Sequence, residues 1–88
     1  MKLSNDFVLR QVSDTWVVLP IGSRSVNFNG MINLNESGVL LWKALERGED
    51  VSGLVAALTS EYVIDEATAL QDVNEFLKKL RSAGCLED

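Results

Sequence analysis

The spacing of apolar and polar positions changes period along the chain. Phe7, Leu9 and Gln11 alternate with Val8, Arg10 and Val12, the two-residue repeat of a strand. After Ser13-Asp14, the β-branched and aromatic run Thr15-Trp16-Val17-Val18-Leu19 predicts a second strand. Pro20, which has no N–H to donate to a ladder, ends it. Two strands joined by two turn-forming residues predict an antiparallel hairpin. Residues 25–28 and 31–34 are again strand-like, and Asn29-Gly30 stands between them. Asn-Gly suits either a type I′ turn or a bulge. We favour a single bulged or kinked third strand over residues 26–34.

From Asn35 the period becomes helical. Asn35 is a favourable N-cap with Glu36 in the first turn. Val39, Leu40, Trp42, Ala44 and Leu45 form a broad apolar stripe, closed by Arg47-Gly48. Asp50 caps a second helix with Val51, Leu54, Val55 and Leu58 inward, and Asp65 caps a third that runs to about residue 83. There Ala69, Val73, Phe76, Leu80 and Ala83 repeat at 4-3-4-3 spacing, a core stripe. Leu70, Asn74, Leu77 and Arg81 run beside it on a flank, and Glu75 and Lys79 stand at i, i+4, where they can pair. Gly84 ends the helix, leaving Cys85-Leu86 to tuck back against it. The order β-β-β-α-α-α predicts an α+β fold in which a three-stranded antiparallel sheet is covered by three helices, with winged helix-turn-helix-like geometry.

Length and charge narrow the function. At 88 residues, against about 150 per average domain, residues 1–88 are expected to form one domain. Its thin core leaves little room to enclose a substrate. No apolar run reaches the ~18–20 residues of a membrane span, and residues 1–6 lack the apolar stretch of a signal peptide, so the expected location is cytoplasmic. The net charge is −5, divided as +1 over residues 1–30 and −6 over residues 31–88. Duplex nucleic acid is bound through a basic face, and the third helix carries Glu66, Asp72 and Glu75 against Lys78, Lys79 and Arg81. A winged-helix nucleic-acid-binding or transcriptional adaptor protein is therefore the second reading.

There is no histidine, and the single Cys85 cannot make an internal disulfide or build a zinc site. No GxGxxG, GxxxxGK[ST] or nucleophile elbow occurs. The carboxylates Asp65, Glu66 and Asp72 read as cap, first-turn charge and solvated face. Neither an enzyme nor a metal or cofactor site is expected. Trp16 and Trp42 read as core or near-core residues. What remains is a sheet edge: residues 26–34 carry few charges to block pairing with another strand. If that strand lies beside the third helix, Leu70 and Leu77 line an apolar cleft next to an open edge, the arrangement for β-augmentation by an extended peptide. Lys78 and Arg81 would then suit an acidic residue in that peptide. An exposed edge of this kind also allows a weak homodimer beside the monomer.

Several blocks are familiar together: Phe7-Val8-Leu9-Arg10, the "LNE-x-G-x-x-x-W" block from Leu34 to Trp42, Val63-Ile64-Asp65, and the "D-V-x-x-F-L-x-x-L" block from Asp72 to Leu80. In this order, over essentially the whole chain, they resemble the PqqD family. The resemblance implies a small winged-helix-like peptide chaperone without catalysis of its own. Such a protein captures the leader segment of a ribosomally synthesised precursor peptide and presents it to a modifying enzyme, often a radical SAM enzyme. It implies that the leader adds as a strand beside the third strand and packs against the third helix. Met31, Ile32 and Asn33 would then be edge contacts, and Leu70, Val73, Asn74, Leu77 and Arg81 would face the peptide. Asp72 occupies the family's acidic position, and with Lys78 it is the candidate contact for the partner enzyme. Branches of the family serve quinone-cofactor, lasso-peptide and thioether-peptide pathways, and the sequence does not name which.

Overall fold

The computed structural model describes residues 1–22 and 32–87. The chain begins with the short strand β1 (Lys2–Leu3), followed by β2 (Phe7–Val12) and β3 (Thr15–Pro20). β2 and β3 pair antiparallel from Phe7↔Pro20 to Val12↔Thr15. The two-residue connection works because Ser13 takes a left-handed φ of 58°, which the first central residue of a primed hairpin turn requires. β4 (Ile32–Leu34) pairs with β3 through Trp16↔Leu34, Val17↔Asn33 and Val18↔Ile32, giving a sheet in the order β2-β3-β4. The Asn29-Gly30 bulge and Met31 fall outside the described residues.

Three helices follow: α1 (Glu36–Glu46), α2 (Val51–Glu61) and α3 (Glu66–Ser82). Each begins at the expected cap. Oδ1 of Asn35 accepts from the Gly38 N–H at 2.9 Å, that of Asp50 from Gly53 at 2.9 Å, and that of Asp65 from Thr68 at 2.8 Å. Each bond satisfies an amide that the first helical turn leaves without a partner. Gly48 and Gly84, at φ 87° and 79°, carry the chain out of α1 and α3. No helix among the described residues is long and apolar enough to cross a membrane.

The helices cover one face of the sheet, and the core joins Phe7, Val18, Ile32 and Leu34 to all three of them. In α1, Leu41 is buried and Leu40 only half-buried, while Trp42 lies at the centre with 1% exposure. Trp16 is half-buried on the sheet, and the Lys43 ammonium lies 5.1 Å from its ring centroid. The stripe of α3 differs from the sequence reading. Its buried residues are Ala69, Val73, Leu77 and Leu80, while Phe76 and Ala83 sit at the border. At 3.6 residues per turn, either set spans an arc of about 80°. The period cannot choose between them; packing against α2 and the sheet does. Leu77, at 1% exposure, is therefore a core residue and not a flank residue.

A further strand, β5 (Leu86–Glu87), pairs antiparallel with β1 through Lys2↔Glu87 and Leu3↔Leu86. The Ser4 N–H donates to the Cys85 carbonyl at 2.8 Å, continuing the ladder past the strand ends. This second sheet fastens the two ends of the chain over the buried Cys85. Two-residue strands leave no alternation for a sequence to display.

Two predictions follow from the packing. Leu77→Ala is expected to cost about 2–5 kcal/mol, the usual range for a buried leucine, read as a lower urea midpoint with unchanged slope; a loss below about 0.5 kcal/mol, the scale of a surface change, would contradict the core assignment. The second concerns acid. Hydrogen bonds from the Thr68 side chain and then its backbone lower the Asp65 pKa against a smaller opposing desolvation. A lowered folded pKa means that the cap contributes fully above the unfolded value, about pH 4, and loses that contribution as pH falls through the folded one. Asp65→Asn, which keeps an acceptor but does not titrate, should show a shallower acid limb in thermal melts; limbs of equal slope would remove this account.

Candidate functional site

The turn from β4 into α1 builds one wall of a groove. Leu34 points into the core, Asn35 caps the helix, and its Oδ1 also accepts from the Ser37 hydroxyl at 3.1 Å. Gly38 lies so near the strand that a Cβ there would stand 3.1 Å from Asn35 Oδ1 and 3.3 Å from Leu34 Cβ. The "LNE-x-G-x-x-x-W" block is thus one construction: inward leucine, cap, close-packed glycine and buried indole.

The facing wall is α3. Asp72, Glu75, Phe76 and Lys79, at i, i+3, i+4 and i+7, share one side of that helix. With Asn33, Asn35, Ser37 and Gly38 opposite, and Leu34, Leu41 and Leu58 between, they enclose about 630 Å³. Lys79 spans the groove: its Nζ donates to the Asn33 carbonyl at 3.4 Å, a long contact made at an exposed position. It goes there and not to Glu75. Among the described residues β4 has a strand partner on one side only, so the helix supplies a donor where a further strand would supply an amide.

Of the expected contacts, Asn33 and Asp72 come together in this groove, while Ile32 turns its side chain inward. Val73 and Leu77 have 0% and 1% exposure and present no surface in this state. Leu70, Asn74 and Lys78 lie on the opposite flank of α3, where with Ala67, Gln71 and Glu75 they line a shallower hollow of about 410 Å³. Helical spacing places the exposed Arg81 on that flank too. On the α3 wall, Glu75, Phe76 and Lys79 are the groove residues missing from the expected set. Their signal was the i, i+3, i+4, i+7 pattern around Phe76, hidden because Phe76 also fits a core stripe.

Among the described residues no group of three or more His, Cys, Asp or Glu side chains could hold a metal ion. The Tyr62 phenol is pushed up by burial and then by Glu36 and Glu61, so it holds its proton at neutral pH. The groove provides backbone acceptors, a half-buried aromatic ring and charges of both signs.

No curated protein matches the sequence significantly. The solved structure described as "TbiB1 in Complex with the TbiA(beta) Leader Peptide" is 29% identical with a TM-score of 0.82, over 99% of this chain and 95% of that one. A second, "Lasso peptide synthetase B1 complexed with the leader peptide", is 22% identical with a TM-score of 0.80, over 99% and 96%, and supports the fold. The family model for "Coenzyme PQQ synthesis protein D (PqqD)" matches residues 15–86, which include the second strand of the hairpin, both walls of the groove and all three caps. With that match spanning most of its length, the chain belongs to the PqqD family.

Proposed function

We propose that this protein captures the leader segment of a ribosomally synthesised precursor peptide and performs no chemistry of its own. The leader adds as a strand to the free side of β4, sends alternate side chains into the groove, and is presented to a separate modifying enzyme. A cytoplasmic setting and a radical SAM partner belong to this reading. The observation that carries it is the Asn33 carbonyl, a strand acceptor held at the mouth of a groove and met, among the described residues, only by a lysine side chain. The 29% identical neighbour, described in complex with a leader peptide, supports the same occupant.

Strand addition would contribute main-chain hydrogen bonds, each worth about 0.5–1.5 kcal/mol net. Apolar side chains reaching Leu34, Leu41 and Phe76 would add about 1.5–3 kcal/mol apiece if fully buried, before the costs of ordering the peptide. The site residues in this proposal are Asn33, Asp72, Glu75, Phe76 and Lys79. Leu70, Asn74, Lys78 and Arg81 would face outward. Two carboxylates on the α3 wall oppose a phosphate backbone.

The test is an NMR titration of the ¹⁵N-labelled protein with the leader half of the precursor peptide encoded beside its gene. Shifts are expected over residues 32–37 and 72–79, and Phe76→Ala should weaken binding by about tenfold, the equivalent of a partly buried side chain. Absence of shifts at several-fold excess, together with shifts on adding duplex DNA, would replace this reading with the nucleic-acid one. Shifts confined to the Leu70 flank would move the site to the other side of α3.

A further inference from the structure

The α3 wall of the groove is charged in order. Asp72 and Glu75 come first, Phe76 stands between, and Lys79 closes the far end against β4. All three charged residues are exposed. At 1.5 Å per residue, Lys79 lies about 6 Å from Glu75 and about 10.5 Å from Asp72 along the helix axis. A strand added to β4 rises about 3.3 Å per residue and turns every second side chain toward the helices, one each ~6.6 Å. Laid along α3, such a peptide would meet the two charged ends of the wall with side chains two and four residues apart.

We infer that the groove selects its peptide by a charge pair. It favours an acidic side chain opposite Lys79 and a lysine or arginine two or four residues away, opposite Glu75 and Asp72. The inference rests on the peptide-capture reading and adds to it the composition of the segment captured. Its physical origin is the contact Lys79 makes in the free protein. An arriving strand gives a backbone N–H to the Asn33 carbonyl, and the displaced ammonium is left beside the peptide without a partner. A carboxylate on the arriving strand supplies one. At the other end Asp72 and Glu75 form no ion pair among the described residues, so a peptide cation meets two carboxylates not already committed. Uncharged peptides of the same shape gain neither contact.

The experiment is a selection with a phage-displayed random dodecapeptide library on the immobilised full chain. The baits are the wild type, Lys79→Glu, and the double variant Asp72→Lys/Glu75→Lys, with matched thermal melts confirming that each is folded. Peptides retained by the wild type and lost on Phe76→Ala define the groove binders. They should carry Asp or Glu spaced two or four residues from Lys or Arg. Lys79→Glu should lose the acidic preference, and the double variant should exchange the basic position for an acidic one. Titration of one selected peptide should show each reversal weakening it by roughly three- to tenfold at low salt, the scale of exposed ion pairs, with the difference shrinking in 0.5 M NaCl. Groove binders with no paired charges, or the same motif on all three baits, would overturn the charge-pair inference and leave peptide capture standing. No enrichment on the wild type would overturn both.

Discussion

The junction between β4 and α1 is the constraint on which the rest of the molecule depends. Leu34 is drawn into the core, and one residue later Asn35 must begin a helix. The helix starts that close to the strand with no side chain at position 38, where a Cβ would crowd both the capping oxygen and the Leu34 side chain. That reversal fixes the end of β4 relative to α1, and α1 carries Trp42 into the centre of the core. α2 and α3 then pack in sequence, so that α3 comes to face the strand edge across a groove. Filling position 38 would require the Asn35 cap or the Leu34 side chain to give by a few tenths of an ångström.

The parts of this construction that were legible in the sequence are the local ones. A cap speaks through its own residue and the amide three positions on, so Asn35, Asp50 and Asp65 could be named without knowing what their helices touch. The hairpin was equally local, since Ser13-Asp14 had only to reverse the chain. The stripe of α3 was not. Two sets of residues offered equally narrow arcs, and the choice between Phe76 and Leu77 for the core was made by neighbours dozens of residues away. That single choice placed Leu77, a buried residue, in the expected cleft. The contact between Lys79 and Asn33 spans 46 residues, and no spacing rule reaches that far.

The buried indole of Trp42 adds a point about where rigidity resides. Its Nε1 has no hydrogen-bond partner among the described residues, a cost that a buried N–H ordinarily avoids. The ring is retained where α1, the sheet and the start of the chain converge, a place that only a large flat side chain fills. The unmet donor lies in the core, while Asn33, Asn35, Asp72, Glu75 and Lys79 of the groove keep their exposure to solvent.

An open strand edge is a hazard before it is a binding site, because it will pair with any strand of suitable register. Natural sheets guard such edges with charge, lysine above all, since its long stem reaches the edge while its ammonium stays hydrated. Lys79 does this from the helix instead of from the strand. Guarding from α3 leaves β4 itself almost without charge, so the strand keeps its capacity to pair once the lysine withdraws. A guard built into β4 would have to stay in place and would block every partner alike. A guard reaching across from α3 can be removed by the partner that offers its ammonium a better acceptor than a single carbonyl at 3.4 Å. Protection of the edge in the free protein and discrimination among peptides then fall to the same side chain.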